Sequence, residues 1–526
     1  MISLNLLQIL SSICVIISGL FGFTRQAQML QQNSYFAKRY FKWVLQSNIT
    51  ATLYSIAFTI VCAVSLLFEI DILLIIISAI SLVRIKGQIS LQKKSIKPLV
   101  FTARIKRMYF TLAVVFIALL VLGIYFESLI PIIVLFALSF VSVLSGFLVK
   151  ALNHIPEKLI ANSYVKSAKK ILKSLNNMKV VGVTGSYGKT GTKFILARIL
   201  SEKYNTVTTP ESYNTPMGVV RTVRESLKND TQVFVCEMGA KNVGDIDEIC
   251  RIAHPTSAII TSIGPQHLET FKSIDNIIKT KFELADECIK NGGNVYVNGY
   301  NKYILDYITQ NPNGSYRVYG TDKSFEYRAE NISADRFGLK FDLVLKNERI
   351  SVSAKLMGMF NVLNILAAAS MAYDMGVDLK DIAYAISRLK PTEHRLELKG
   401  FINGSTLIDD AYNANPEGSI KAVEVLANFD GFKKIIVTPG LVELGDKEYE
   451  CNYNLGLAAC KECDIIIAVG KTRAVPFSAA VADSGFKKEN FYITETFAEA
   501  LGLLQNMTDS KTVVLFENDL PDNYKK

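Results

Sequence analysis

The chain has 526 residues, half of them hydrophobic, with a mean hydropathy of +0.24, a balance that argues against a disordered or wholly soluble protein. Its formal net charge of +10 comes entirely from residues 1–150, which hold 13 Lys and Arg against Glu69, Asp71 and Glu127, while residues 151–526 carry 45 basic and 45 acidic side chains. That neutral remainder argues against nucleic acid as a partner, because binding by counterion release needs a basic surface. The length predicts about three or four domains at roughly 150 residues each.

Residues 1–152 read as an α-helical transmembrane bundle. Residues 2–23 are uncharged and long enough to cross a bilayer at about 1.5 Å per residue. A second apolar block, 49–83, is broken by Glu69 and Asp71, and a third, 108–149, by Glu127 and Pro131. This gives about five spans, the third a short one near 70–83. Arg25, Lys38, Arg39 and Lys42 follow the first span, and Arg84, Lys86, Lys93, Lys94, Lys97, Arg104, Lys106 and Arg107 lie between the third and fourth. The turns at 69–71 and 127 hold only acidic residues. The positive-inside rule then places the N-terminus outside and residues 150–526 in the cytoplasm of a multi-pass protein of the cell membrane. The first span lacks the basic start and the small-residue cleavage site of a signal peptide. The eight cysteines suit a reducing compartment, and the lone CxxC of Cys460 and Cys463 reads as packing.

A linker helix, 153–177, leads to 178–390. There the apolar strand Lys179–Thr184 runs into Gly185-Ser186-Tyr187-Gly188-Lys189-Thr190-Gly191-Thr192 and a helical stretch. Strand, glycine turn and helix start form a phosphate cradle: backbone N–H groups, a Lys for the β/γ-phosphates and a hydroxyl for Mg²⁺. The spacing is GxxGKT, with Val183 where the full Walker pattern has glycine. Glu237, after the strand 232–235, lies where a carboxylate beside a phosphate loop would hold a metal.

The stretch TGSYGKT at 184–190 resembles the ATP loop of the Mur ligase family, and the resemblance runs over roughly 178–526. It implies a central α/β ATPase domain of the P-loop type, a Rossmann-like α/β C-terminal domain over 391–526, and an ATP- and Mg²⁺-dependent ligase that forms amides. It further implies Thr190, Glu237 and His267 as metal ligands, and Lys281 as a lysine carbamylated in several members. Asn361 and Asn364 would bind the nucleotide in Gly358-Met-Phe360-Asn361-Val-Leu-Asn364, where Phe360 replaces the usual His and offers a ring to adenine. Arg395 would reach the γ-phosphate, and Asp410 the nucleotide, once the domains close. Asn214, in the loop Tyr213–Gly218, and Tyr412, Asn413 and Asn415, in DDAYNANP, would face substrate. That last phrase most resembles the members that add D-Ala-D-Ala to a muramoyl tripeptide in peptidoglycan synthesis. Strands are expected near 405–409, 433–438, 464–469 and 511–517.

In place of the family's usual nucleotide-sugar-binding domain stand the apolar spans. The acceptor is then a muropeptide, either UDP-linked or lipid-linked, and the amine an amino acid or D-Ala-D-Ala. A poly-γ-glutamate or amidating ligase, and a non-catalytic membrane scaffold that senses nucleotide, stand as alternatives.

Overall fold

The computed structural model describes residues 5–33, 35–93, 98–211, 213–392, 394–411, 415–442 and 444–518. The chain divides between residues 162 and 163 into two compact units.

The first unit is helical: Leu6–Gln32, Ala37–Ser47, Ile49–Leu67, Asp71–Lys93, Ala103–Tyr125, Leu129–Phe140, Ser142–Leu152 and the start of His154–Ser174. Four of these helices are long and apolar enough to cross a membrane, and the pair Leu129–Phe140 and Ser142–Leu152, bent by 101°, makes a fifth if counted as one span. The short span expected at 70–83 is longer than its apolar run, because the helix continues through Arg84 and Lys86. The break expected in the last block falls at Glu127, between Ala103–Tyr125 and Leu129–Phe140; Pro131 sits in the first turn of the second of these, where a missing N–H costs nothing, and the chain bends once more at Val141.

Arg84 answers the bend. Its guanidinium donates to Ser139 O at 2.7 Å and Phe140 O at 3.3 Å, carbonyls that the broken helix leaves without N–H partners. Gly22 makes room for it, since a Cβ there would stand 2.5 Å from the guanidinium. Polar side chains such as Gln8, Ser11, Ser12, Ser65 and Ser139 are buried in this unit, while Leu53, Ile72, Val83, Phe110 and Ile130 point outward, 61–73% exposed.

The second unit holds two sheets. The first contains β1 (Lys179–Thr184), β2 (Thr206–Thr208), β3 (Val233–Glu237), β4 (Ser257–Ile260), β5 (Asn294–Asn298), β6 (Tyr316–Gly320), β7 (Tyr327–Asp335), β8 (Gly338–Leu345) and β9 (Glu348–Ala354). Their order is β2-β3-β1-β4-β5-β6-β7-β8-β9, parallel up to β7 and antiparallel after it. Helices Lys189–Leu200 and Phe360–Asp374 cover one face, and Asp245–Ala253 and Ile274–Lys290 the other. Coverage on both sides explains why β1 and β3 are apolar almost throughout instead of alternating. The order reverses around β1, which opens a crevice at the carboxyl ends of β1, β3 and β4.

The second sheet runs β10-β11-β15-β12-β13-β14, built from β10 (Glu397–Gly400), β11 (Thr406–Asp410), β12 (Lys433–Thr438), β13 (Ile465–Val469), β14 (Phe491–Thr494) and β15 (Thr512–Glu517). The four strands expected here form its centre. The two edges, β10 and β14, have four residues each and too little periodicity to be legible.

Gly182 lies inside β1, and Leu284 of the helix Ile274–Lys290 fills the space above it: a Cβ would come within 2.5 Å of Leu284 Cδ1. Gly182→Val should overpack this contact and cost about 1–3 kcal/mol, read as a lower urea midpoint with an unchanged slope.

Candidate active site

The turn after β1 is a closely packed backbone loop. Gly185 has φ of 152°, and a Cβ on it would sit 2.0 Å from Thr261 Oγ1; Gly188, at φ 80°, would meet Asn364 Oδ1 at 2.7 Å. Helix Lys189–Leu200 then begins with first-turn N–H groups that have no intrahelical acceptor and a positive dipole end, an arrangement that suits phosphate. The loop is braced by the segment after β4. Ser186 N donates to Ser262 O at 2.6 Å, Ser186 Oγ to Gly264 O at 3.0 Å, Tyr187 N to Ser262 Oγ at 3.0 Å, and Tyr187 Oη to Pro265 O at 3.0 Å. The side chains of Ser186 and Tyr187, in the loop expected on the nucleotide, help hold that loop in place.

Lys189 Nζ donates to Gly185 O at 2.7 Å and Ser186 O at 3.1 Å, two of its three donors. Burial lowers its pKa to about 8, with the Arg395 charge acting the same way against the pull of Glu237. Arg395 was expected to arrive only on closure, yet its charge already reaches Lys189 and Asp410. The segments of the second unit that carry the two sheets are packed together here: Met357 is buried with Leu396 and Ile408, and Phe360 packs against the same cluster. Phe360 thus joins the edge of an apolar joint.

Glu237 ends β3, level with Val183 of β1, and is 1% exposed. Its carboxylate accepts from Thr190 Oγ1 at 3.1 Å, Asn214 Nδ2 at 2.9 Å and Lys193 Nζ at 3.0 Å. Burial works against its charge, but Lys193 and then Lys189, together with the Asn214 amide, outweigh that and hold it below the usual carboxylate range. Asn214, expected on substrate, lies beside the site and helps orient this carboxylate. Lys193 escaped the sequence reading although the signal was there: it follows Lys189 by four residues and so shares its helix face. It is fully buried and also donates to Glu211 O.

Lys281 is 2% exposed on helix Ile274–Lys290. Burial, then the charge of Lys189, holds its pKa well below the ordinary lysine range, which favours the neutral amine. His267 stands at φ 51° before the short helix Leu268–Phe271, in the loop whose Gly264 and Pro265 brace the phosphate turn. Asn361 and Asn364, expected on the nucleotide, are hydrogen-bonded to each other and to neighbouring protein groups. Asn364 Nδ2 donates to Asn361 Oδ1 at 3.0 Å, Asn361 Nδ2 to Met357 O at 2.7 Å, and Thr192 Oγ1 to Asn364 Oδ1 at 3.2 Å. They tie the helix Phe360–Asp374 to the phosphate helix. Gly191 faces that pair, with Asn364 Nδ2 3.4 Å from where its Cβ would be. Asn415, expected on substrate, caps the helix Pro416–Val425 by accepting from Gly418 N at 2.8 Å. Tyr412 and Asn413 lie outside the described residues.

These groups fit a nucleotide and a hard cation. Glycines leave no room for side chains in the phosphate turn, a lysine projects over it, and the adjoining Thr190 hydroxyl and Glu237 carboxylate are the oxygen donors that Mg²⁺ prefers.

The sequence model of the Mur ligase middle domain matches residues 183–372, and that of the Mur ligase glutamate ligase domain matches 394–517. The UDP-N-acetylmuramoyl-tripeptide--D-alanyl-D-alanine ligase of Escherichia coli (strain K12) is 30% identical over 320 residues, 60% of this chain and 70% of that protein. The protein of the same name from Bacillus subtilis (strain 168) is 29% identical over 358 residues, 66% of this chain and 75% of that one. Among solved structures, MurF from Acinetobacter baumannii aligns with a TM-score of 0.61 at 26% identity, covering 69% of this chain and 78% of that one. The MurF ligase of Thermotoga maritima in complex with ADP shares the fold, with a TM-score of 0.58 at 24% identity over 68% and 80% of the two chains.

Lys193→Met would keep the stem of the side chain but leave Glu237 without its closest cation. The expected loss is about 3–5 kcal/mol of unfolding free energy, as for a buried charge stripped of its partner, measured by urea denaturation of the detergent-purified protein.

Proposed function

The chain belongs to the Mur ligase family of ATP-dependent, ADP-forming ligases, and from that premise we propose that it adds D-Ala-D-Ala to a muramoyl-tripeptide precursor of peptidoglycan while anchored in the bacterial membrane. ATP with Mg²⁺ is its energy source. The observation that carries the reading is the meeting of Lys189, Thr190, Glu237 and Arg395 at one strand-end crevice, in a chain similar to ligases of that name.

Amide formation needs an activated carboxyl. An acceptor carboxylate oxygen attacks the γ-phosphorus of ATP; the new P–O bond forms as the bond to ADP breaks. The amine of the second substrate then adds to the acyl carbon, loses a proton and expels inorganic phosphate, which carries away the oxygen that made the attack. Lys189 and Arg395 would balance the charge that spreads over the transferred phosphoryl group, and this electrostatic positioning is the main source of catalysis for phosphoryl transfer. Glu237 and Thr190 would hold Mg²⁺, and His267 is the resemblance's further ligand. When bound, the ion supplies charge neutralisation between the β- and γ-phosphates. Lys281, buried and favouring the neutral amine, is in the form that takes up CO₂ and so becomes an anion facing the same cluster. Packing of the Phe360 joint keeps Arg395 near the loop and helps exclude water from a hydrolysable intermediate.

The anchor rests on the first unit. Its helices expose apolar side chains all along their outer surface while packing around a core that is itself largely apolar, and an exposed apolar surface of that kind fits lipid. The basic loops would face the cytoplasm, with the ligase region. These same helices support a second reading, in which the acceptor is lipid-linked and the bilayer supplies its local concentration.

Both readings are tested by mass spectrometry of products from detergent-purified protein given ATP, Mg²⁺ and D-Ala-D-Ala, with UDP-muramoyl tripeptide in one reaction and its lipid-linked form in another. Extended peptide from the soluble precursor is the expected result; product from the lipid form alone would establish the second reading, and no amide from either would overturn both. In the same assay Lys189→Ala should lower turnover by about a hundredfold or more. Because kcat/KM reports the free enzyme, its value for ATP should fall above about pH 8, as Lys189 loses its proton.

A further inference from the structure

Glu517 took no part in the sequence reading, yet it lies fully buried at the end of β15, directly beside Asp410 of β11 in parallel register. Its Oε1 accepts from Ser419 Oγ at 2.5 Å. Its Oε2 is enclosed and, among the described residues, meets no N–H or O–H donor. The group that faces it is the Asp410 carboxyl, in hydrogen-bond contact. Two ionised carboxylates cannot share such a contact away from water, and one proton between them satisfies both.

The surroundings set the charge that this pair must carry. From the segment before β10, Leu396 N donates to Asp410 Oδ1 at 3.2 Å, and the Arg395 charge reaches Asp410, Glu517 and Lys189. From β11, Asp409 adds a negative charge, but it is already matched by Lys399 Nζ at 2.8 Å and His394 Nδ1 at 2.7 Å. The helix Pro416–Val425 offers only the neutral hydroxyl of Ser419. Arg395 is therefore within electrostatic reach of both the pair and Lys189 of the phosphate loop. A pair with one negative charge balances a single guanidinium; a pair with two would draw it away from the loop.

We propose that Glu517 is a positioning residue for the nucleotide site: it shares one proton with Asp410, so that the pair presents a single negative charge and Arg395 stays directed toward Lys189 and the phosphate loop. Burial raises the pKa of both carboxyls, which keeps the proton in place at neutral pH. The shared proton links the last strand of the chain to ATP affinity without Glu517 touching ATP.

Two measurements test this, neither of which needs the acceptor to be known. Infrared difference spectra between wild type and Glu517→Gln at neutral pH should show the carbonyl band of a protonated carboxyl in wild type alone. Calorimetric titration with Mg-ATP should then separate two variants. Glu517→Gln, whose amide can donate to Asp410 as the shared proton does, should bind within about threefold of wild type, and Glu517→Leu, which cannot, should bind about tenfold or more weakly. Melting curves establish that each variant is folded. Absence of the protonated band overturns the proposal, as does a Gln variant that binds no better than the Leu variant or a Leu variant that binds like wild type. Should Glu517→Leu fail to fold, the infrared band and the Gln affinity still decide.

Discussion

A carboxylate with almost no contact with water must be neutralised where it stands, and Glu237 imposes that demand on everything around it. Lys193 meets it from the phosphate helix, Asn214 from the loop after β2, and Thr190 from the first turn. Two of the partners come from one helix and the third from a loop, so satisfying one buried charge fixes the end of β3 against the start of the helix Lys189–Leu200. The crevice then holds a carboxylate oxygen and a hydroxyl oxygen side by side, next to a lysine whose pKa is already lowered by burial. The ion pair that stabilises the fold locally is thus also the source of the site's charge pattern.

Around this centre, polar side chains do more bracing than reaching. Ser186, Tyr187, Asn361, Asn364 and Asn415 all carry residue types that bind nucleotides or peptides, and all are engaged with protein groups. Such bracing locks the first layer of the site in place, as a catalyst that works by positioning requires. The apolar joint formed by Met357, Phe360, Leu396 and Ile408 has the same effect at larger scale, since it brings Arg395 within charge range of Lys189.

What the sequence made legible follows from what local pattern can encode. The strand, glycine turn and helix around Lys189 form a contiguous signal, and the central strands of both sheets are runs of apolar residues buried on two sides. The nine-stranded order and the antiparallel extension β7 to β9 depend on long-range pairing that no local window records. The partners of the site side chains were not legible for a related reason: a motif names the residue at a position but not what it touches. Asn214 is drawn to Glu237 by a charge 23 residues away, and Phe360 is partly covered by a segment that begins more than 30 residues later. Glu517 was invisible because nothing marks a lone glutamate at the end of a strand until its neighbour in the sheet, Asp410, is known.

The central claim is that these groups activate a carboxylate by phosphoryl transfer from ATP. Its most direct test is to follow oxygen: the acceptor carboxylate is labelled with ¹⁸O, and the phosphate released during amide formation is analysed by mass spectrometry. Phosphoryl transfer to the carboxylate predicts one labelled oxygen in each inorganic phosphate, with ADP as the other product. Unlabelled phosphate, or label appearing in AMP, would contradict it.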